Sequence, residues 1–236
     1  MKIKGGIDRI IILLKDIFFP AYCLGCDKEG EFVCADCYKT LSHRGVFCCP
    51  VCHQENLDGS CCDWCKDKTV VDKHVAVLLY REENLIGKIM HSFKYQYTED
   101  ISSVFESLIK DFFGHYNIEI DYIVPVPLHK RRYVERGFNQ AEKIAEIVSK
   151  ELNKPLQNIL RRKRHTKQQA KLSRNDRLEN LKGAFELDNK ANVDLKNKVV
   201  LLVDDVFTTG STMGECALVL KNSGVREVVG FSVARG

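Results

Sequence analysis

The sequence predicts an α/β chain, a parallel sheet wound with helices, behind a small cysteine-rich metal-binding segment. Three observations predict it. Residues 199–203 are five consecutive aliphatics, the mark of a strand buried on both faces of a parallel sheet. From about residue 70 onward, strand-like and helical stretches alternate, as in a doubly wound domain that binds ligands at the C-terminal strand edges. Ten of the eleven cysteines lie between residues 23 and 65.

Composition sets limits on function. A chain of 236 residues holds one or two domains, and 44% apolar with 29% charged residues excludes wholesale disorder. The net charge of +4 is too mild to demand a polyanionic partner, but it is unevenly spread. Residues 129–182 carry 16 Lys and Arg against 6 Asp and Glu, which points to a local anion site. The apolar run 10–14 is cut by Lys15 and Asp16, too short for a transmembrane span or a signal-peptide core. A cytoplasmic protein is expected, and a reducing compartment favours metal binding over disulfides.

The first element, domain 1–20, is an amphipathic helix: Ile7, Ile10, Ile11, Leu14, Ile17 and Phe18 recur at helical spacing before Pro20. Domain 21–69 is the cysteine block. Cys23/Cys26, Cys34/Cys37, Cys49/Cys52 and Cys62/Cys65 are four CxxC knuckles, and two knuckles complete a tetrahedral four-sulfur site for structural zinc. Eight ligands make two zinc ions in a double ribbon. Sequential and interleaved pairing are both open, and Cys48 and Cys61 leave the register ambiguous by one residue; His43 and His53 read as bystanders, with substitution for a cysteine ligand the alternative. With so little apolar content, this segment takes its folding energy from metal.

Domain 70–236 follows. Strands are expected at 74–80, 120–126, 199–203 and 228–233, and helices at 83–93, 101–113, 139–152 and 212–221. Neither GxGxxG nor GxxxxGK[ST] occurs. The sharpest string is VVLLVDDVFTTGST at 199–212. An aliphatic strand ends in Asp204 and Asp205, and then Thr208, Thr209, Gly210, Ser211 and Thr212 lead into a helix. That turn offers amides and hydroxyls to a phosphate at a helix N-terminus. The acids would repel phosphate; they suit vicinal hydroxyls or a hydrated divalent cation. A ribose 5-phosphate satisfies both halves. A second string, VPVPLHKRRYVERGFNQAE at 124–142, is a basic loop with His129, Arg132 and Arg136, whose forked donors suit pyrophosphate. A third, 161–185, is polar, basic and long for a connection, which fits a mobile lid. Cys216 reads as core.

In this order, the four knuckles, VPVPLHxxRxxxRGFNQ, TxxQxxLxxxxRxxNLxGAF and VDDVFTTGST resemble the ComF/ComFC family over nearly the whole chain. The resemblance implies a type I phosphoribosyltransferase fold behind an N-terminal zinc ribbon domain, and a role in natural transformation and DNA uptake beside a helicase-like ATPase. It further implies that Asp204 and Asp205 hold the ribose hydroxyls of phosphoribosyl pyrophosphate (PRPP), bound with Mg²⁺. Thr208, Thr209, Gly210, Ser211 and Thr212 would cradle the 5-phosphate. His129, Arg132 and Arg136 would lie near the pyrophosphate, while Thr166, Gln168, Arg177 and Asn180 would belong to the flexible loop. Phe207 departs from the family pattern, standing where a smaller aliphatic is usual. Two functions follow. One is a phosphoribosyltransferase with Asp204, Asp205, Arg132 and Arg136 as its catalytic set; the other is a non-catalytic module that binds single-stranded DNA or docks a partner. In the second, the basic segment meets phosphates and Tyr133 stacks bases, with Phe138 in the core.

Overall fold

The computed structural model describes residues 20–41, 45–95, 99–164, 181–188 and 192–236. The expected helix over 1–20, His43, and the loop residues Thr166, Gln168, Arg177 and Asn180 lie outside the described residues. Among the described residues no helix is long and apolar enough to cross a membrane.

The chain runs α1 (Ala35–Lys39), β1 (Val46–Phe47), a 3-10 turn (Asp63–Lys68), β2 (Lys73–Leu79), α2 (Leu85–Tyr95), α3 (Glu99–His115) and β3 (Tyr122–Pro125). It continues through α4 (Lys130–Arg136), α5 (Gln140–Leu152), β4 (Leu160–Arg162), β5 (Phe185–Leu187), β6 (Val199–Phe207), α6 (Ser211–Asn222) and β7 (Glu227–Arg235). Five strands form one sheet in the order β1-β2-β7-β6-β3, and β4 and β5 form a separate antiparallel pair. All neighbours in the large sheet are parallel except β1, which pairs antiparallel with β2 through Val46 and Ala76. The cysteine-rich segment therefore supplies an edge strand to the domain behind it.

The expected strands and helices of the second domain are present. β6 is an interior strand of the sheet, and its side chains are apolar in both directions. Val199, Leu201 and Val203 join one core with Val229, Phe231 and the buried faces of α2, α3 and α5. Val200 and Leu202 join a second core with Val124, Val228 and the buried face of α6. A strand packed on both faces has no alternation to show, so the aliphatic run is a consequence of its place in the sheet. It also runs further than expected: Asp204 and Asp205 remain within β6, paired with β7 as far as Phe207 opposite Arg235.

Three elements differ from the sequence expectation. The basic loop after β3 contains α4, started by His129, whose Nδ1 accepts from the Arg131 amide, and ended by Gly137 in the left-handed conformation. The stretch expected as a lid from 161 to 185 is flanked by two strands that the sequence did not show, β4 and β5, with Leu160 paired to Leu187. β1 was not expected at all, and at two residues it is too short to show a pattern.

Leu201→Ala, which removes a fully buried side chain from β6, is expected to cost about 2–5 kcal/mol in denaturant unfolding of the zinc-replete protein. Leu218→Ala, at an exposed position of α6, should stay within about 0.5 kcal/mol.

Candidate functional site

The parallel strands carry their polar residues to one edge of the sheet, as open α/β sheets do. There a cleft of about 470 Å³ is lined by the β6 acids on one side and by Arg132, Arg136 and Arg162 on the other. The Asp204 carboxylate accepts a hydrogen bond from the Asp205 amide at 2.9 Å, and Asp205 accepts from the Val206 amide at 2.8 Å. Lys94 from α2 brings its ammonium to 4.0 Å from Asp205. Burial, reinforced by the charge of Asp205, pushes the Asp204 carboxyl well above its ordinary value of 3.8.

Beyond the acids, residues 208–212 wrap a recess of about 60 Å³. Gly210 is the N-cap of α6, with φ +72°, a conformation few other residues adopt. A Cβ there would also stand 2.7 Å from the Phe207 ring, so side-chain bulk is excluded on two counts. As a glycine, this N-cap brings no side-chain acceptor to the first turn of the helix, where backbone amides point outward as they do at an anion site. The Thr209 and Ser211 hydroxyls lie 2.9 Å apart, close enough to act on one ligand.

Of the residues singled out in the sequence, Asp204, Asp205, Arg132, Arg136 and Thr212 line the larger cleft, and Thr208, Thr209, Gly210 and Ser211 line the recess beside it. His129 is not among the lining residues; its ring nitrogen caps α4 instead. Phe138 packs against Phe93 at 5.8 Å between ring centroids, Tyr133 is half exposed on α4, and Cys216 is fully buried. Three lining residues escaped sequence reasoning. Lys94 sits on an amphipathic helix as an ordinary surface lysine would. Arg162 lies in a stretch that reads as loop, yet its guanidinium stacks 5.3 Å from the Phe185 ring, and burial lowers its pKa. Gln140 belongs to the quoted RGFNQ string. Its Oε1 accepts from Arg136 at 3.0 Å, and its buried Nε2 has no partner among the described residues. A buried amide donor is costly to leave unpaired, so this one is poised for a ligand oxygen.

The cysteines resolve into two clusters, Cys23/Cys26/Cys34/Cys37 and Cys49/Cys52/Cys62/Cys65, with all sulfurs of each within 4.8 Å of one another. Pairing is sequential, and Cys48 and Cys61 stand outside. Four sulfurs each ~2.3 Å from a tetrahedral ion would be roughly 3.8 Å apart. Cys26 and Cys34 sulfurs are 3.7 Å apart, and so are those of Cys52 and Cys62. Both clusters therefore fit zinc. Burial opposes ionisation of Cys23, but the Cys34, Gly25 and Cys26 amides outweigh it and hold its pKa at about 6. Cys49 is likewise held at about 6, by the Cys52, Cys62 and Val51 amides against its burial. Neighbouring thiols push Cys37 and Cys65 up to about 12. In each cluster the backbone amides thus favour the thiolate form of one cysteine, the form that binds metal.

The phosphoribosyl transferase domain family matches residues 96–234. Competence protein F of Haemophilus influenzae is 33% identical over 221 residues, 90% of each chain. Competence protein ComFC of Streptococcus pneumoniae is 30% identical over 88% of this chain and 90% of its own, and that of Bacillus subtilis 28% identical over 98% and 97%. This chain belongs to the ComF/ComFC family. The DNA utilization protein YhgH of Escherichia coli K12 is 37% identical over 49% of each chain. The Bacillus subtilis match covers 98% of this chain, the cysteine-rich segment and the cleft alike.

Two outcomes are expected. Elemental analysis should find about two zinc ions per chain, and Cys52→Ser should remove one of them. Asp204→Asn should raise the thermal midpoint at neutral pH, because the wild-type carboxyl is penalised when ionised in the folded state. An acid whose pKa is raised by folding loses stability as pH climbs from its unfolded to its folded value. The advantage of Asn should therefore shrink as pH falls toward 3.8 and persist above it.

Proposed function

We propose that this chain binds PRPP with Mg²⁺ and transfers its phosphoribosyl group in the service of DNA uptake. The observation that carries the reading is the sequence of chemistries along one sheet edge. An anion recess at 208–212 adjoins a carboxylate pair, which faces three arginines across a cleft wide enough for a sugar and a diphosphate.

The roles follow from charge. The first-turn amides of α6 and the hydroxyls of Thr208, Thr209, Ser211 and Thr212 hold the 5-phosphate. Asp204 and Asp205 accept from the 2- and 3-hydroxyls of the ribose; Mg²⁺, when bound, shields the diphosphate and orients it. Arg132, Arg136 and Arg162 take the charge that grows on pyrophosphate as its oxygen leaves C1 with the bonding electrons. The acceptor then forms its bond at C1. Gln140 holds the Arg136 guanidinium in place and offers its free amide N–H to the leaving group. The link to DNA uptake rests on relatives named as competence proteins and as a DNA utilization protein.

A second reading, single-stranded DNA along α4, is favoured by one observation: Tyr133 and Val134 are exposed beside Lys130 and Arg131. Its signature is binding that falls steeply with salt.

In a calorimetric titration of PRPP with Mg²⁺ into zinc-replete protein, saturable one-site binding is expected. Asp205→Asn should weaken it about tenfold or more, the cost of losing a charged hydrogen-bond acceptor, with zinc content and thermal unfolding little changed. Equal affinity in the variant would remove Asp205 from the site, and no binding to wild type would overturn the reading.

A further inference from the structure

We propose that the second cysteine cluster sets the shape of the phosphate loop through Arg235, a positioning residue between the two. The inference rests on the ribose-phosphate reading of the 208–212 loop.

Arg235 ends β7 and is 2% exposed, yet among the described residues no carboxylate pairs with it. Its Nη2 donates to the Cys49 carbonyl at 2.9 Å, inside the second cluster. Its Nη1 donates to His74 Nδ1 at 2.7 Å. That contact leaves the His74 proton on Nε2, which faces the Ser232 hydroxyl at 3.1 Å, and Ser232 in turn donates to the Ala234 carbonyl at 3.0 Å. The polar side is thus satisfied in one direction from end to end. On its apolar side the guanidinium lies 4.8 Å from the centroid of the Phe207 ring, and His74 packs on the same ring at 3.8 Å. Phe207 in turn fills the space beneath Gly210. A continuous path of contacts runs from Cys49 through Arg235 and Phe207 to the N-cap of α6.

The Cys49 carbonyl gives this path a reason to depend on metal. Binding of an ion is what folds a small cysteine knuckle, and Cys49 is one of the four residues whose sulfurs gather in the second cluster. With that cluster filled, the Cys49 carbonyl is fixed where Arg235 donates to it. Without metal the knuckle loosens, and the guanidinium loses the contact that keeps it across Phe207. Among the described residues the first cluster has no such link. It docks on the helices, through Lys88 donating to the Leu24 carbonyl at 2.9 Å and Tyr38 donating to Asp111 at 2.7 Å. The two clusters thus form a matched pair, one coupled to the loop and one not.

The test compares Cys26→Ser with Cys52→Ser, exposed ligands of the first and second clusters, each checked by elemental analysis for loss of one zinc ion. Ribose 5-phosphate affinity is measured by calorimetry, and hydrogen exchange of the 208–212 amides is followed without ligand. Cys52→Ser is expected to weaken binding at least about fivefold, the lower end of ordinary site coupling, and to speed exchange in the loop. Cys26→Ser should do neither. Arg235→Met should reproduce the Cys52→Ser effect, and the double variant should lose no more than either single one, since both cut the same path. If Arg235→Met does not fold, Arg235→Lys serves, because a lysine cannot bridge Cys49 and His74 together. Equal effects of the two cysteine variants, additive effects with Arg235, or unchanged loop exchange in Cys52→Ser would overturn the coupling. A wild-type protein that ignores ribose 5-phosphate would instead overturn the ligand reading, while the exchange comparison would still decide the coupling.

Discussion

The lateral register of the parallel sheet is the constraint on which the rest depends. Val75, Phe231, Val203 and Pro125 stand side by side across β2, β7, β6 and β3. Behind that row β6 is wholly aliphatic and packed on both faces. Ahead of it the same strands deliver Ser232, Asp204 and Asp205 within a residue or two. A slip of one residue in β6 would bury a carboxylate in the core or draw an aliphatic into the cleft. Register is therefore what holds the acids against the arginines, and two-sided burial of β6 is what holds the register.

That placement has an electrostatic cost that the cleft itself offsets in part. Two adjacent carboxylates at the end of a buried strand repel each other, and burial adds to the penalty on Asp204. Lys94 relieves Asp205 from one side. Arg162, whose own charge is disfavoured by burial and by Arg132, is relieved in part by Asp204 across the cleft. Acids and bases thus offset part of each other's penalty without meeting in a close ion pair. A sugar hydroxyl or a hydrated cation entering the cleft would give each carboxylate a closer partner than the protein does. The arrangement by itself is less stable than it could be, as expected of a site built to bind rather than to hold the fold together.

Much of this was legible in the sequence because it is local. Five aliphatics followed by two acids and a hydroxyl-rich turn describe β6 and its loop within 14 residues. The four knuckles announce two metal sites for the same reason. What was not legible is relational. Knuckle spacing is compatible with both pairings, and only the packing of α1 and the 3-10 turn makes them sequential. α4 has no apolar periodicity, since neither of its faces meets the core; it exists because His129 caps one end and Gly137 closes the other. β4 and β5 are three residues each and separated by more than twenty in sequence, so Arg162 reads as loop although its strand partner fixes it at the cleft. Arg235, the penultimate residue, gives no local sign that its side chain reaches back to residues 49 and 74.

The division between a zinc ribbon and a catalytic-type domain describes the sequence better than it describes the molecule. β1 belongs to the cysteine block by sequence and to the sheet by hydrogen bonding. Metal binding supplies the folding energy of small cysteine-rich segments. Here that energy is spent on an edge strand and on a buried arginine as well as on the knuckles. An edge strand of two residues has little stability of its own. It persists because the clusters on either side of it hold the chain in place, the first against α2 and α3 and the second against β7. The cluster nearest β7 also touches Arg235, which packs on the ring beneath the 208–212 turn. A structural metal site so placed stabilises the geometry of the neighbouring pocket along with its own turn, and the pocket's shape becomes a readout of whether that site is filled.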